Sequence, residues 1–285
     1  MSYSSAFTDV MNFFNEMIKL AYVEYNKSFS KSLELEKKAD KSFVTQFDKK
    51  INTLLSHYAA GKGFKIISKE GQHLRKVVKS GSYITINPID GTRGYIKHIN
   101  TFKCNPKIYN KKLLGPLADH CLLLGIVKHS QPLYACCYNY VTDENIFLDG
   151  IMKRIVFEGK RIRSLLTAKN ACYTGTRTND NITREILADK NITQIMLSPF
   201  GLRALLVQIG NHENAITVHH AQQTGLWDVL PACVASKITG GTILDDTGHK
   251  VILNKYIMLP GKGATSIKGK KFIGSIKNIL RQKAL

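Results

Sequence analysis

The stretch CLLLGIVKHSQPLYACCYNY, residues 121–140, constrains the fold more than any other part of the chain. Within 121–128, read as one strand, residues 121–127 are apolar at consecutive positions, not only at alternate ones. Successive side chains of a strand point to opposite faces, so a strand of this kind must be covered on both sides. His129 to Pro132 form a turn, and 133–140 return as a second strand. The pattern predicts a hairpin at the centre of a sheet sandwiched between other layers. NIFLDG and IVFEGKRI extend it with further strand and turn.

The flanking sequence supplies the layers. Residues 5–25 carry Phe7, Val10, Met11, Phe14, Met17, Ile18 and Ala21 at three- and four-residue spacing, which predicts an amphipathic helix. A polar loop leads through Val44-Thr45 into a second helix, with Asp48 in its first turn and Ile51, Leu54 and Leu55 on its buried side. FKIIS (64–68) and SYITI (82–86) read as short strands. Residues 97–119 fit no clean period and read as an irregular excursion that is functional or holds a short helix. In the second half NITREILAD and GLRALLVQIG look helical, while QIML and AITVHH look extended. Asp228 is read as opening a helix, because Pro231 is tolerable only in a first turn. Gly240-Gly241 ends it, and TILDDTGHKVIL reads as a strand hairpin. An antiparallel half followed by alternating strands and helices predicts an α/β (α+β) chain. We divide it into an N-terminal α+β domain, residues 1–155, and a C-terminal α/β domain, residues 156–285.

Composition excludes several classes. The 285 residues are 44% hydrophobic, enough for a large core. No run approaches ~18 apolar residues, so no membrane helix is expected. The N-terminus lacks a basic region and a cleavable apolar block, which places the protein in the cytoplasm. The six cysteines form no CxxC pair and read as reduced structural thiols. The adjacent His219 and His220 lack helical metal-site spacing. A formal net charge of +20 favours anionic partners. The lysines are scattered and no basic block stands out, so a phosphorylated small molecule is preferred over nucleic acid.

Two short segments could carry chemistry. In PIDGT a strand delivers Asp90, and Gly91 and Thr92 open the next element. Glycine lets the backbone approach an anion, the N–H groups of a helix start can cradle phosphate, and Asp90 can hold a hard cation. An ordinary Asp-Gly turn would look the same. GLWDVLPACVASKITGG holds the only Trp of the chain beside Asp228. Alone it is an N-capped helix.

In order along the chain stand VTQFD (44–48), SKEG (68–71), NPIDGT (87–92) and WDVLPACVASKITGG (227–241). Together they resemble the inositol monophosphatase superfamily, the Mg²⁺-dependent, lithium-sensitive phosphatases. That family carries VTxxD, a Glu-Glu segment, DP(I/L)DGT and WDxAAGxxIxxEAGG. The hairpin after DGT, VFEGKRIR and KKFIGS also match, so the resemblance covers nearly the whole chain. DGTRGY is closest to the DGTKGF form of the 3'(2'),5'-bisphosphate nucleotidase branch.

The resemblance implies a layered αβαβα sandwich of the sugar-phosphatase type and metal-assisted hydrolysis of a phosphate monoester. Carried over, Asp90 and Asp228 hold Mg²⁺, as does the Ile89 backbone carbonyl. Thr92 and Asp48 form the catalytic, proton-accepting dyad. The N–H groups of Gly91 and Thr92 bind phosphate. SPFGLRALL resembles a substrate-side segment, with Arg203 for Lys and Gly201 where Ser is usual. TGTRTN supplies Arg177 where the nucleotidase branch has Ser-Arg-Ser-His, and no His follows. The expected partner is a small phosphorylated metabolite, of the inositol phosphate or bisphosphate nucleotide type; a homodimer is compatible, and nucleic acid and membrane are not expected.

Two ligand positions depart from the family. Asn87 stands for the first Asp of DPxD, and Lys69 for the first Glu of Glu-Glu. Glu70 matches the second Glu, which is not the usual ligand. Turning it inward as a metal ligand would require a bulge if it lay in a strand. Lys69, Asn87, Asp90 and Asp228 sum to a formal −1 where four carboxylates would give −4, so Mg²⁺ binding is expected to be weakened or lost. An ammonium at Lys69 cannot ligate a metal, but it could bind phosphate as a point charge. Two functions remain open: a phosphatase with weakened metal dependence, and a catalytically inactive relative that binds a phospho-ligand or serves as a regulatory protein.

Overall fold

A computed structural model describes residues 3–37, 43–71, 82–104, 119–159, 166–175, 181–219, 224–245, 248–251, 253 and 264–268. The chain begins with α1 (Tyr3–Lys27), β1 (Leu35–Lys37), β2 (Phe43–Thr45), α2 (Gln46–Gly61), β3 (Lys65–Ser68), β4 (Ser82–Asp90) and α3 (Thr92–Cys104). The four strands β5 (Cys121–Lys128), β6 (Gln131–Asn139), β7 (Glu144–Asp149) and β8 (Arg154–Glu158) follow. Then come β9 (Asn170–Thr174), α4 (Asn181–Leu187), β10 (Thr193–Met196), α5 (Phe200–Ile209), β11 (Asn214–His219), α6 (Leu226–Thr239), β12 (Thr242–Asp245) and β13 (Ala264–Lys268).

A six-stranded sheet in the order β3-β4-β5-β6-β7-β8 holds the predicted hairpin at its centre. Only β3 and β4 pair in parallel; the other neighbours are antiparallel. The hairpin turn is two residues, His129 and Ser130, both at positive φ (48° and 62°). That backbone matches the twist of the strands it joins. Alternate residues of β5 divide between two cores. Leu122, Leu124 and Ile126 meet α1 and α2, while Cys121 and Leu123 meet α5 and α6. At Gly125 a Cβ would lie 2.4 Å from Leu230 Cδ2, so a glycine there lets α6 lie close on the sheet.

A second sheet, in the order β10-β9-β11-β13-β12, mixes parallel and antiparallel pairs. Ala171, Tyr173 and Ala215 face α5 and α6, and Cys172, Ile216 and Val218 pack on Ile186 and Leu187 of α4. The layers are therefore helix, sheet, helix, sheet, helix, the αβαβα arrangement expected. Cys121, Cys136, Cys137, Cys172 and Cys233 are buried thiols, as read from their apolar surroundings. Among the described residues no helix is long and apolar enough to cross a membrane.

Two sequence expectations are refined. Residues 97–104, taken as irregular, complete α3, whose Tyr95 and Ile99 are buried; residues 105–118 lie outside the described residues. TILDDTGHKVIL, read as a strand hairpin, forms β12 and a return that meets it through an antiparallel bridge, Leu244 to Lys250, and the Val251 N–H to Ile243 carbonyl bond at 3.0 Å. The sheet partner of β12 is β13, which continues the hydrogen-bond ladder. KKFIGS, expected as a strand, lies outside the described residues.

A buried polar knot ties these layers together beneath the NPIDGT strand end. The Tyr25 hydroxyl on α1 lies 3.0 Å from His98 Nδ1 on α3 and 3.0 Å from His120 Nε2 before β5. Tyr140, stacked on Tyr25 at 4.5 Å between ring centroids, donates to the Pro88 carbonyl at 2.9 Å. Tyr25→Phe removes the shared partner of two buried imidazoles. It is expected to cost about 1–3 kcal/mol, seen as a melting temperature lowered by several degrees in a thermal denaturation scan.

Candidate active site

Three aspartates converge where β4 ends, and each sits at the N-terminus of a helix. Asp48 is the third residue of α2 and closes a capping box with Thr45. Its Oδ2 accepts from the Thr45 backbone N–H at 2.8 Å and hydroxyl at 2.7 Å, and its own N–H donates to Thr45 Oγ1 at 3.1 Å. The Thr-x-x-Asp spacing is that of a capping box. Asp228 is likewise the third residue of α6, which begins at Leu226, two residues before the start read from sequence. Gly225 is the cap, and its N–H donates to Asp228 Oδ2 at 3.0 Å. Pro231 therefore lies inside the helix, where its ring removes one backbone bond.

Asp90 caps a helix from a distance. The residue before α5 is Pro199, which offers no side-chain cap. The Gly201 N–H instead donates to Asp90 Oδ2 at 2.6 Å. This approach needs a glycine: a Cβ on residue 201 would lie 2.2 Å from Leu123 Cδ1 and 2.7 Å from the Asp228 carbonyl oxygen. Gly91 follows at φ +83°, a left-handed conformation open to glycine, and turns the chain into α3.

Lys69 stands in the middle of this acidic cluster. β3 ends at Ser68, so Lys69 and Glu70 lie in a turn. The bulge that a strand would have required to turn Glu70 inward is therefore not needed: both side chains act on the Asp48 carboxylate. The Lys69 ammonium donates to the Ile89 carbonyl at 2.7 Å, the oxygen the resemblance assigned to a metal. Burial works against its charge, but Asp48, Glu70, Asp228 and Asp90 outweigh that and hold its pKa above the ordinary lysine value. Asn87 is fully buried in β4 and donates through Nδ2 to Asp228 Oδ1 at 2.9 Å.

The acids respond to burial and to each other. Burial pushes Asp48 up to about 6 against the pull of Lys69. Burial, then the Asp90 charge, pushes Asp228 to about 7. Burial also raises Asp90, opposed by Lys69, the Gly201 N–H and Arg203.

Other expected roles fare unevenly. The Thr92 hydroxyl donates to the Ile89 carbonyl at 3.3 Å, and Asp48 is bonded to Thr45, so the expected Thr92–Asp48 dyad is not formed by a hydrogen bond. Arg203, expected to touch substrate, is buried at 3% exposure. Its Nη1 donates to the Leu197 carbonyl at 2.8 Å, and burial lowers its pKa to about 10. Its charge acts on the Asp90 carboxylate from within the core. Arg177 lies outside the described residues. Sequence reading passed over Gly201 as a cap donor; the signal was present as a proline and a glycine opening an apolar helix, with no capping side chain.

Whether Mg²⁺ fits is decided by these atoms. Among the described residues no group of three or more His, Cys, Asp or Glu side chains could hold a metal ion. With Lys69 on the Ile89 carbonyl, the residues do not fit a set of two or three ions. They fit one: Asp90, Asp228 and the Asn87 amide oxygen, which has no hydrogen-bond partner, form an all-oxygen donor set of the kind Mg²⁺ takes.

A sequence model of the inositol monophosphatase family matches residues 8–276, and the chain belongs to that family. No curated protein sequence matches it. Among solved structures it is similar to an IMPase of Thermotoga maritima, with a TM-score of 0.69 at 16% identity over 96% of this chain and 99% of that one. The extragenic suppressor protein suhB of Bartonella henselae gives 0.68 at 15% identity, over 96% and 98%. An IMPase/NADP phosphatase complexed with Mg²⁺ and phosphate gives 0.70 at 13%, over 96% and 95%. At such identities these likenesses speak for the fold.

Proposed function

We propose that the cleft binds a phosphate monoester of a small metabolite, of the inositol phosphate or 3'(2'),5'-bisphosphate nucleotide type, and hydrolyses it slowly. The observation that carries this reading is the Lys69 ammonium on the Ile89 carbonyl amid four carboxylates. An ammonium has three N–H donors, and one is used by Ile89, so the others face an incoming phosphate oxygen or water. The N–H groups of Gly91 and Thr92, at the start of α3, donate to its other oxygens. A divalent cation on Asp90 and Asp228, when bound, supplies Lewis-acid polarisation of the phosphate. Asp48 is the proton acceptor.

Losing several kcal/mol of charge stabilisation lowers turnover by about three orders of magnitude relative to a full cation set. Inorganic phosphate release from adenosine 3',5'-bisphosphate, inositol 1-phosphate and fructose 1,6-bisphosphate, with Mg²⁺ titrated, tests the reading. Asp90→Asn is the blank. Wild-type release no faster than the blank on all three would sink it.

The rate should also depend on pH. Asp48 accepts a proton only when ionised, and burial raises its pKa to about 6. Turnover is therefore expected to rise between pH 5 and pH 8 and then level off. A pH–rate profile that is flat or falls across this interval removes Asp48 from the role of base.

A second reading, binding without turnover, is favoured by the Asn87–Asp228 hydrogen bond, which ties up a carboxylate oxygen. It predicts saturable binding of the same phosphate esters with no phosphate released.

A further inference from the structure

We infer that Lys69 is the permanent occupant of one cation position, and that the cleft therefore takes a single divalent cation, on Asp90, Asp228 and the Asn87 amide oxygen. This deepens the reading of the cleft as a phosphate site but does not depend on turnover.

Three observations carry it. The ammonium lies 2.7 Å from the Ile89 carbonyl, so an ion cannot share that oxygen without meeting a fixed positive charge. The acids around Lys69 are more numerous than the ligand positions alone suggested. Asp48, Glu70, Asp90 and Asp228 face one ammonium, a formal charge of −3. One divalent ion lowers this to −1, whereas a second would reverse the sign within a few Å of both the first ion and Lys69. Finally, Asn87 points to where the ion goes. Its Nδ2 is committed to Asp228, and its buried Oδ1 has no hydrogen-bond partner. A buried acceptor left unmet is costly, and a cation beside Asp228 would satisfy it. Asp90 accepts from the Gly201 N–H through Oδ2 and also from the Leu202 N–H, and a carboxylate has lone pairs beyond those two for an ion. Each oxygen of Asp228 accepts one N–H and keeps a further lone pair.

The test counts ions without substrate. Purified full-length chain, stripped with chelator, is titrated with Mn²⁺, and free Mn²⁺ is followed by electron paramagnetic resonance. One Mn²⁺ per chain is expected. Asp90→Asn should weaken its binding at least about tenfold, the effect of losing roughly one charged oxygen ligand. Lys69→Gln keeps a side chain of similar reach without the charge, and should add a second Mn²⁺ or tighten the first at least tenfold. Lys69→Glu should do the same. Circular dichroism melts verify that each variant is folded, and if Lys69→Glu is not, the other two variants carry the test. Two or more ions on the unmodified chain, none at all, or a Lys69→Gln titration that overlays the wild type overturns the inference. Failure of phosphate release leaves this ion count standing, and a wrong count leaves phosphate release standing, so the two readings fail separately.

Discussion

Lys69→Glu combined with Asn87→Asp is expected to raise phosphate release at saturating Mg²⁺ by about a hundredfold. The two changes convert the charge of the cluster from a formal −3 to −6 and free the Ile89 carbonyl from its ammonium. Restored charge stabilisation of about 3 kcal/mol corresponds to that factor. The single Asn87→Asp change should do less, because the ammonium still holds its carbonyl. It also places a carboxylate against Asp228, so its benefit should appear only with cation present. A steady-state phosphate-release assay over a Mg²⁺ series checks both. Turnover of the double variant equal to that of the wild type would falsify the assignment of Lys69 and Asn87 as cation positions.

The second large effect concerns Gly201, where the family resemblance leads one to expect Ser. Gly201→Ser puts a Cβ 2.2 Å from Leu123 Cδ1, 2.7 Å from the Asp228 carbonyl and 3.0 Å from Asp90 Oδ2. Leu123 belongs to the central strand and the Asp228 carbonyl to α6, so neither gives way freely. Overpacking of this kind costs about 1–3 kcal/mol, and displacement of the 2.6 Å cap on Asp90 adds to it. The expected result is a melting temperature lower by several degrees together with weakened Mn²⁺ binding. If the serine variant melts with the wild type and binds the ion equally well, the close approach of α5 to Asp90 is not a feature of the folded protein.

Much of this architecture is legible in the residues. The consecutive apolar positions of 121–127, too short for a helix and followed by a turn, identify a strand covered on both faces, because successive strand side chains point to opposite sides. The Thr45-x-x-Asp48 spacing marks a helix start for the same kind of local reason. Where reading failed, nonlocal contacts decided. Pro231 argued for a helix beginning at Asp228, yet α6 starts at Leu226, where Leu226 and Trp227 are buried. Packing of that apolar turn outweighs one missing backbone bond. Arg203 was read as a substrate contact from its place in a motif; its burial against Leu197 and Gly175 is a nonlocal contact that the motif does not carry. The position of Lys69 was legible, but its acceptor was not. Glu70 was discounted by strand parity, which ceases to apply once β3 stops at Ser68.

The three helix caps explain which acids remain when such a cleft changes. Asp48, Asp90 and Asp228 each complete the first turn of a helix, so replacing any of them would damage the scaffold even in a protein with no chemistry left to perform. Lys69 and Asn87 hold no such cap: one donates to the Ile89 carbonyl and the other to Asp228. An aspartate triad in a chain of this architecture thus has a scaffolding duty of its own, and activity is better judged from the ligands that the backbone can do without.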